Sequence, residues 1–292
     1  MASKLLGAQV KRKEDPRLIT GTSQYVGDIA MPGLQHVAFV RSPHAHARVR
    51  GIKPAAALKL PGVVAVVTGQ ELKPHTIPIP IAQASAEGGE VAEAQVGRQH
   101  YPLSVDRVRY VGEPVAAVIG MTAEAATDGA ADVEVDWEPL PAVSDSFEAM
   151  ADGAPLLFDD APKNIEHSNT IKAGDPDAAF AKAHKIVKQR MNSQRLSGIP
   201  METRAVMAAP DFASGGLTVW STHQAPHVLR GSLAAALKMP QNQVRVIAPE
   251  VGGGFGVKFG TYPEDVVVAA LARLRRTPLR WVESRVKDKT GT

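Results

Sequence analysis

The run EVGGGFGVKFG at 250–260 constrains the fold of this chain more than any other stretch. An alternating segment, QVRVIAPEV, precedes it, and YPEDVVVAALARLRR follows with apolar residues at helical spacing. The expected unit is therefore strand, glycine loop, helix. Glycine in ordered chain costs roughly 0.5–1 kcal/mol relative to alanine, so glycines packed this densely around Phe255 imply close approach to the main chain. The approaching group is a phosphate, a flat cofactor, or only the turn itself. Free amide N–H groups and a helix N-terminus aimed the same way make such a unit a ready anion cradle.

Familiar nucleotide loops do not fit. A Walker loop needs Gly-Lys-Ser/Thr at its end, whereas Lys258 lies between Val257 and Phe259. A dinucleotide fingerprint started at Gly252 or Gly254 meets Val257 or Phe259 where its third glycine should stand. Phe255 is either one wall of a pocket for a flat ligand or a plug folded back into the core. Upstream, STHQAPH at 221–227 leaves a strand and presents Gln224, whose carboxamide both donates and accepts. Gln224 either faces a ligand or caps its own loop. His223 and His227 lack any accompanying zinc-type pattern, so no metal ligand is assigned to protein side chains.

Composition excludes several function classes. The chain has 292 residues, 44% of them hydrophobic, enough for two domains with their own cores. Lys plus Arg total 33 against 30 Asp plus Glu, and the basic residues form no stripe with interleaved aromatics, so nucleic acid is not an expected partner. With no cysteine, this sequence offers no disulfide, thiol nucleophile or iron–sulfur ligand. The N-terminal MASKLLGAQVKRKEDPRL becomes charged before an apolar signal core could form, and no run is long enough to span a bilayer. A cytoplasmic protein with no membrane partner is expected. No Gly-x-Ser-x-Gly elbow is present, which disfavours covalent hydrolysis.

Along the chain, LQHVAFVRS, GVVAVVTG and the two runs of VRYVGEPVAAVIG read as strands. Residues 74–100, rich in Pro, Ala, Gly and Glu, read as a long surface excursion. Thr122 is the expected N-cap of an alanine-rich helix, which Gly129 weakens by about 1 kcal/mol; VEVDWEPLPAV then returns to strand. DGAPLLFDDAPKN is the expected linker. Beyond it, Asp175-Pro176 signals a helix start, GGLTVWS a strand, and the chain after Pro226 a helix.

Taken together, KRKEDPRLITGTSQYVGDIAMPG, HVAFVRSPHAHARV, YPLSVDRVRYVGEPVAAVI, PMETRAVMA, STHQAPHVLR, VRVIAPEVGGGFGVK and PLRWVESR closely resemble the molybdopterin-binding large subunit of the xanthine dehydrogenase and aldehyde oxidase family. The resemblance runs in order through nearly the whole chain. It implies an α+β fold, with an α/β hammerhead domain over 1–160 and the first, incomplete portion of a molybdopterin-binding domain over 161–292. It implies a molybdenum hydroxylase that oxidises an aldehyde or aromatic heterocycle with oxygen from water. Molybdenum would be held by a pterin, in the cytosine dinucleotide form for a bacterial relative, which reconciles a metal enzyme with a cysteine-free chain.

Residue by residue, the resemblance places Gln224 beside the metal's ligands and Gly253, Gly254, Phe255 and Gly256 beside the pterin. Iron–sulfur clusters and FAD are expected on partner chains. The family's Ser-Thr-Gln reads Thr-His-Gln here, which makes His223 a candidate substrate contact. Family members continue well beyond PLRWVESR and carry a glutamate there as general base, whereas this sequence stops at KDKTGT. The expectation is a split subunit whose remainder is another chain, or a truncated form, inactive when isolated. A non-catalytic assembly module and a generic phosphate-binding protein are the alternatives.

Overall fold

The computed structural model of the protein describes residues 7–79, 100–165, 173–194 and 196–288. Residues 80–99, most of the Pro- and Ala-rich excursion, lie outside them. Among the described residues ten strands form two sheets: β1 (Gln35–Arg41), β2 (Ala47–Lys53), β3 (Val63–Thr68), β4 (Arg107–Val108), β5 (Pro114–Gly120), β6 (Glu134–Pro139), β7 (Ala205–Pro210), β8 (Leu217–Ser221), β9 (Val244–Ile247) and β10 (Leu279–Val282). The larger sheet has the order β3-β5-β1-β10-β7-β8-β9, and the smaller one β4-β2-β6.

The apolar run of β5 is buried throughout, because both of its faces are covered. Ala117 and Ile119 join a core with the C-terminal helices, while Ala116 and Val118 join a second core that includes Ala47 and Val108 of the smaller sheet. Helix α1 (Ala123–Ala131) starts where Thr122 accepts the Ala125 N–H. Gly129 on it is a packing requirement: a Cβ there would stand 2.9 Å from methyls of both Val63 and Val118. Helix α2 (Pro176–Ala181) is capped by Asp175 but buries none of its residues. Without an apolar face against a core it stops after six residues.

The N- and C-terminal regions share the larger sheet. β1 pairs in parallel with β10, Gln35 opposite Leu279 and His36 opposite Arg280, while β10 runs antiparallel to β7. Two helices cover the C-terminal half: α3 (Pro226–Ala236) and α4 (Pro263–Arg275). In α4 every residue from Pro263 to Ala272 is buried. β8 leads through 222–225 into α3, and β9 leads through the glycine loop into α4, in parallel register from Leu217↔Val244 to Trp220↔Ile247. That parallel pair brings the two loops singled out in the sequence to the same sheet end.

Candidate cofactor site

Gln224 and the glycine loop are locked together. The Gln224 Oε1 accepts the amide N–H groups of Gly256 (3.0 Å) and Lys258 (3.2 Å), while the Gln224 backbone N–H donates to the Lys258 carbonyl (2.8 Å). Gly254 lies flat on this carboxamide; a Cβ there would sit 2.5 Å from Gln224 Cδ. Only a bare α-carbon permits that approach.

The clamp holds an unusual backbone. Gly253 and Gly256 have φ of 97° and 86°, and between them Phe255, a residue with a side chain, has φ 52°. A non-glycine residue in the left-handed region costs roughly 1–3 kcal/mol and persists only where its surroundings over-determine it. Here the consequence is outward projection. Phe255 is 74% exposed, so it is no core plug, and its ring edge lies over Gly253, where a Cβ would stand 2.9 Å from Phe255 Cε2.

A second brace comes from Glu202, which no motif logic had singled out. Its Oε2 accepts the Gly252 N–H (2.7 Å) and an N–H of the Lys258 ammonium (3.1 Å), and its backbone N–H donates to the Gly252 carbonyl (3.2 Å). Lys258 is among the largest fully buried side chains. Tyr262 donates its hydroxyl to the Val257 carbonyl at 2.6 Å. The signal was present in the sequence as an acid in PMETR and a lysine just after the glycines, but their pairing needed the fold.

His223 is not presented to a ligand. It is buried, its Nδ1 accepts the Ala225 N–H (2.9 Å), and its Nε2 donates to the Gly260 carbonyl (3.1 Å). Burial lowers its pKa, and both nitrogens are committed to the main chain, so the side chain serves to tie the Gln224 loop to residue 260. The expected substrate contact is replaced by this structural one.

Behind the site lies a buried ionic network. Arg204 contacts Glu283 through Nε (3.0 Å) and Nη2 (2.5 Å), and Glu264 through Nη1 (3.1 Å); Arg41 reaches the other oxygen of Glu264. Burial pushes the Glu264 carboxyl up, but Arg204 and Arg41 outweigh it and hold its pKa below the usual range. Burial pushes neighbouring Asp265 up to about 7. The Arg204 guanidinium also lies 4.0 Å from the Tyr262 ring. The cavity among these groups, about 10 Å³, has room for roughly one water. It is scaffold, not a substrate pocket.

The outer face of the loop offers donors. Among the described residues, the amide N–H groups of Gly253, Gly254 and Phe255 have no hydrogen-bond partner, and neither does the Gln224 Nε2. Because Oε1 takes two backbone donors, the amide orientation is fixed with its N–H₂ on the free side. A group rich in oxygen and nitrogen acceptors with a flat ring system would suit this set of donors.

These features define a class: an α+β chain with a braced glycine loop whose free amides form a candidate cofactor site. Residues 20–141 match the aldehyde oxidase and xanthine dehydrogenase a/b hammerhead domain, and residues 157–292 match the molybdopterin cofactor-binding domain. The chain is 39% identical to the 6-hydroxypseudooxynicotine dehydrogenase complex subunit gamma of Paenarthrobacter nicotinovorans, over 98% of this chain and 35% of that protein. It is 37% identical to the carbon monoxide dehydrogenase large chain of Afipia carboxidovorans, over 100% and 36%. Its structure matches quinoline 2-oxidoreductase from Pseudomonas putida 86 with a TM-score of 0.84 at 34% identity, covering 97% of this chain and 35% of that one.

The chain therefore belongs to the xanthine dehydrogenase and aldehyde oxidase family, as the N-terminal portion of its molybdopterin-binding large subunit. It spans about a third of the length of these relatives. Among the described residues, no helix is long and apolar enough to cross a membrane.

Proposed function

We propose that this chain supplies the first part of the molybdenum subunit of a cytoplasmic hydroxylase acting on a small aldehyde or aromatic heterocycle. One observation carries the reading: the Gln224 oxygen organises the glycine loop, while among the described residues its N–H₂ and the Gly253, Gly254 and Phe255 amides are left without partners and Phe255 is exposed. When bound there, the molybdenum–pterin group supplies two-electron oxidation, with the oxygen drawn from water.

The residues of this chain bind and orient. Gln224 Nε2 and the N–H groups of Gly253, Gly254 and Phe255 donate to acceptor atoms of the cofactor, and Phe255 packs against its flat part. Glu202 and Lys258 keep those donors fixed, so no reorganisation is needed when charge builds up nearby. No residue of this sequence is assigned the general-base role. The remainder of the molybdenum subunit, an iron–sulfur subunit and an FAD subunit are the proposed partners, and the cytosine dinucleotide is the proposed pterin form. The family relationship and the relatives named as complex subunits or large chains support that assembly.

The test is recovery of the native complex through a tag on this chain, followed by metal analysis and fluorescence of oxidised pterin. Stoichiometric molybdenum and pterin are expected. A well-folded complex containing neither would contradict the proposal and favour an assembly module without cofactor.

A further inference from the structure

Beside the turn that leads into β5 lies a cavity of about 280 Å³, lined among others by Lys73, Tyr101, Ser104, Asp106, Arg109 and Glu113. Its walls are rigid for local reasons. The helical turn Gly69–Leu72 is closed by a capping box between Thr68 and Glu71 and anchored by the buried Leu72. Gly69 is pressed so closely on the facing segment that a Cβ there would stand 2.2 Å from the Ser104 carbonyl oxygen. Ser104 in turn donates its N–H to the Pro114 carbonyl (2.8 Å) and its hydroxyl to the Arg107 carbonyl (2.5 Å). Against roughly 30 Å³ per liquid water, the space holds a small organic molecule.

The charges around this space do not meet. Arg109 is fixed without a counter-ion: its Nε donates to the Leu157 carbonyl (3.0 Å), its Nη1 to the Arg107 carbonyl (3.1 Å), and its guanidinium lies 4.3 Å from the centre of the Phe158 ring. Among the described residues its Nη2 has no partner, and neither has the Lys73 ammonium, which lies 5.4 Å from the centre of the Tyr101 ring. On the acidic side, the buried Glu113 accepts the Arg109 backbone N–H on one oxygen. His100 stands 3.9 Å from the other, and burial lowers the pKa of that imidazole. The Asp106 carboxylate has no hydrogen-bond or ionic partner among the described residues. Opposite charges fixed around one space but out of contact are a complementary surface for a molecule that carries both signs.

We propose that this cavity binds a small zwitterion of the amino-acid type, its carboxylate on Arg109 and Lys73 and its ammonium on Glu113 and Asp106. A guanidinium already held by two carbonyls and a ring gives a charge-assisted hydrogen bond from Nη2 with little ordering cost. A simple anion would face two carboxyl groups with nothing to offer them, and a simple cation would face Arg109 and Lys73. The inference does not rest on the cofactor reading, since none of these residues belongs to the glycine loop or its braces.

The test is calorimetric titration of the chain in its native assembly, recovered through a tag. The probes are glycine, 3-aminopropanoate and 4-aminobutanoate, each beside its deaminated and its decarboxylated counterpart. At least one amino acid is expected to bind about tenfold or more tightly than both of its counterparts. Lys73→Gln and Asp106→Asn change exposed, unpartnered side chains and should leave the melting temperature unchanged. The first should shrink the advantage over the amine and the second the advantage over the acid, by roughly two- to fivefold each, as for exposed charges. Arg109→Gln should weaken binding at least about tenfold, as for a lost hydrogen bond to a charged group; the two rim variants decide the matter if it fails to fold.

No binding of any of the three amino acids would overturn the proposal, because the assembly then fills the cavity or leaves it to water. Equal binding of an amino acid and its deaminated counterpart would reduce the cavity to an anion site and overturn it too. Unchanged preferences in both rim variants would place the bound molecule elsewhere.

Discussion

One carboxamide, that of Gln224, serves two directions at once: its oxygen gathers the Gly256 and Lys258 amides, and its nitrogen remains free. The two roles come apart in Gln224→Glu, which keeps an acceptor for the loop but replaces the outward donor with negative charge. The expected result is at least about a tenfold loss of bound molybdenum, as for an unmet hydrogen bond of roughly 1–3 kcal/mol, with melting temperature nearly unchanged. Retained molybdenum with a lowered melting temperature would assign Gln224 to the loop alone. The residues of this site were legible because a dense glycine cluster and a Gln on a post-strand loop are local patterns. His223 and Glu202 were not, since whether a polar side chain is consumed by the main chain or braces a loop depends on contacts 37 and 50 residues away in sequence.

At the scale of elements, strands and caps followed from local signals: the strand-like mix of apolar and polar residues in 35–41, the Thr122 and Asp175 caps, and the apolar run of 115–119. The sense of Gly129 did not. Intrinsic propensity favours alanine there by about 1 kcal/mol, but α1 sits so close on β3 and β5 that a methyl would overlap Val63 and Val118. Gly129→Ala is therefore expected to destabilise by about 1–3 kcal/mol in denaturant unfolding; stabilisation would show that the helix is free to lift.

The turn before β5 carries a pH signature of its own. Burial pushes Glu113 up to about 7 from an ordinary 4.5, against the lowering effect of the Arg109 backbone N–H. Its contribution to stability is thus complete below about 4.5 and is lost as pH rises through about 7. In Glu113→Gln, which removes the buried ionisation, the melting temperature relative to the parent should climb between pH 5 and pH 8. A pH-independent difference would refute that.

At the scale of the whole molecule, the N- and C-terminal regions are joined by a parallel strand pair and a buried ionic network. The pairing of residues 35 and 36 with 279 and 280 could not be read from periodicity, because nothing local specifies which strands become neighbours. Arg41 comes from β1, Arg204 precedes β7, Glu264 opens α4 and Glu283 follows β10. Removing one member leaves buried charge uncompensated, so Arg204→Met is expected to cost about 3–5 kcal/mol. Arg17→Met, at the more exposed pair with Glu250, should cost about 1 kcal/mol or less. Comparable losses in chemical denaturation would mean the network is not what couples the two regions.

The central claim is that bare main chain at 253–256, held by Gln224, makes room for a molybdenum–pterin cofactor. It is tested most directly by the molybdenum-to-chain ratio of native complexes carrying the parent sequence or Gly254→Ala, whose new methyl would collide with the Gln224 carboxamide. The account predicts a ratio near unity for the parent, lost in the variant while the complex still assembles. An unchanged ratio in the variant, or no molybdenum in the parent, would contradict it.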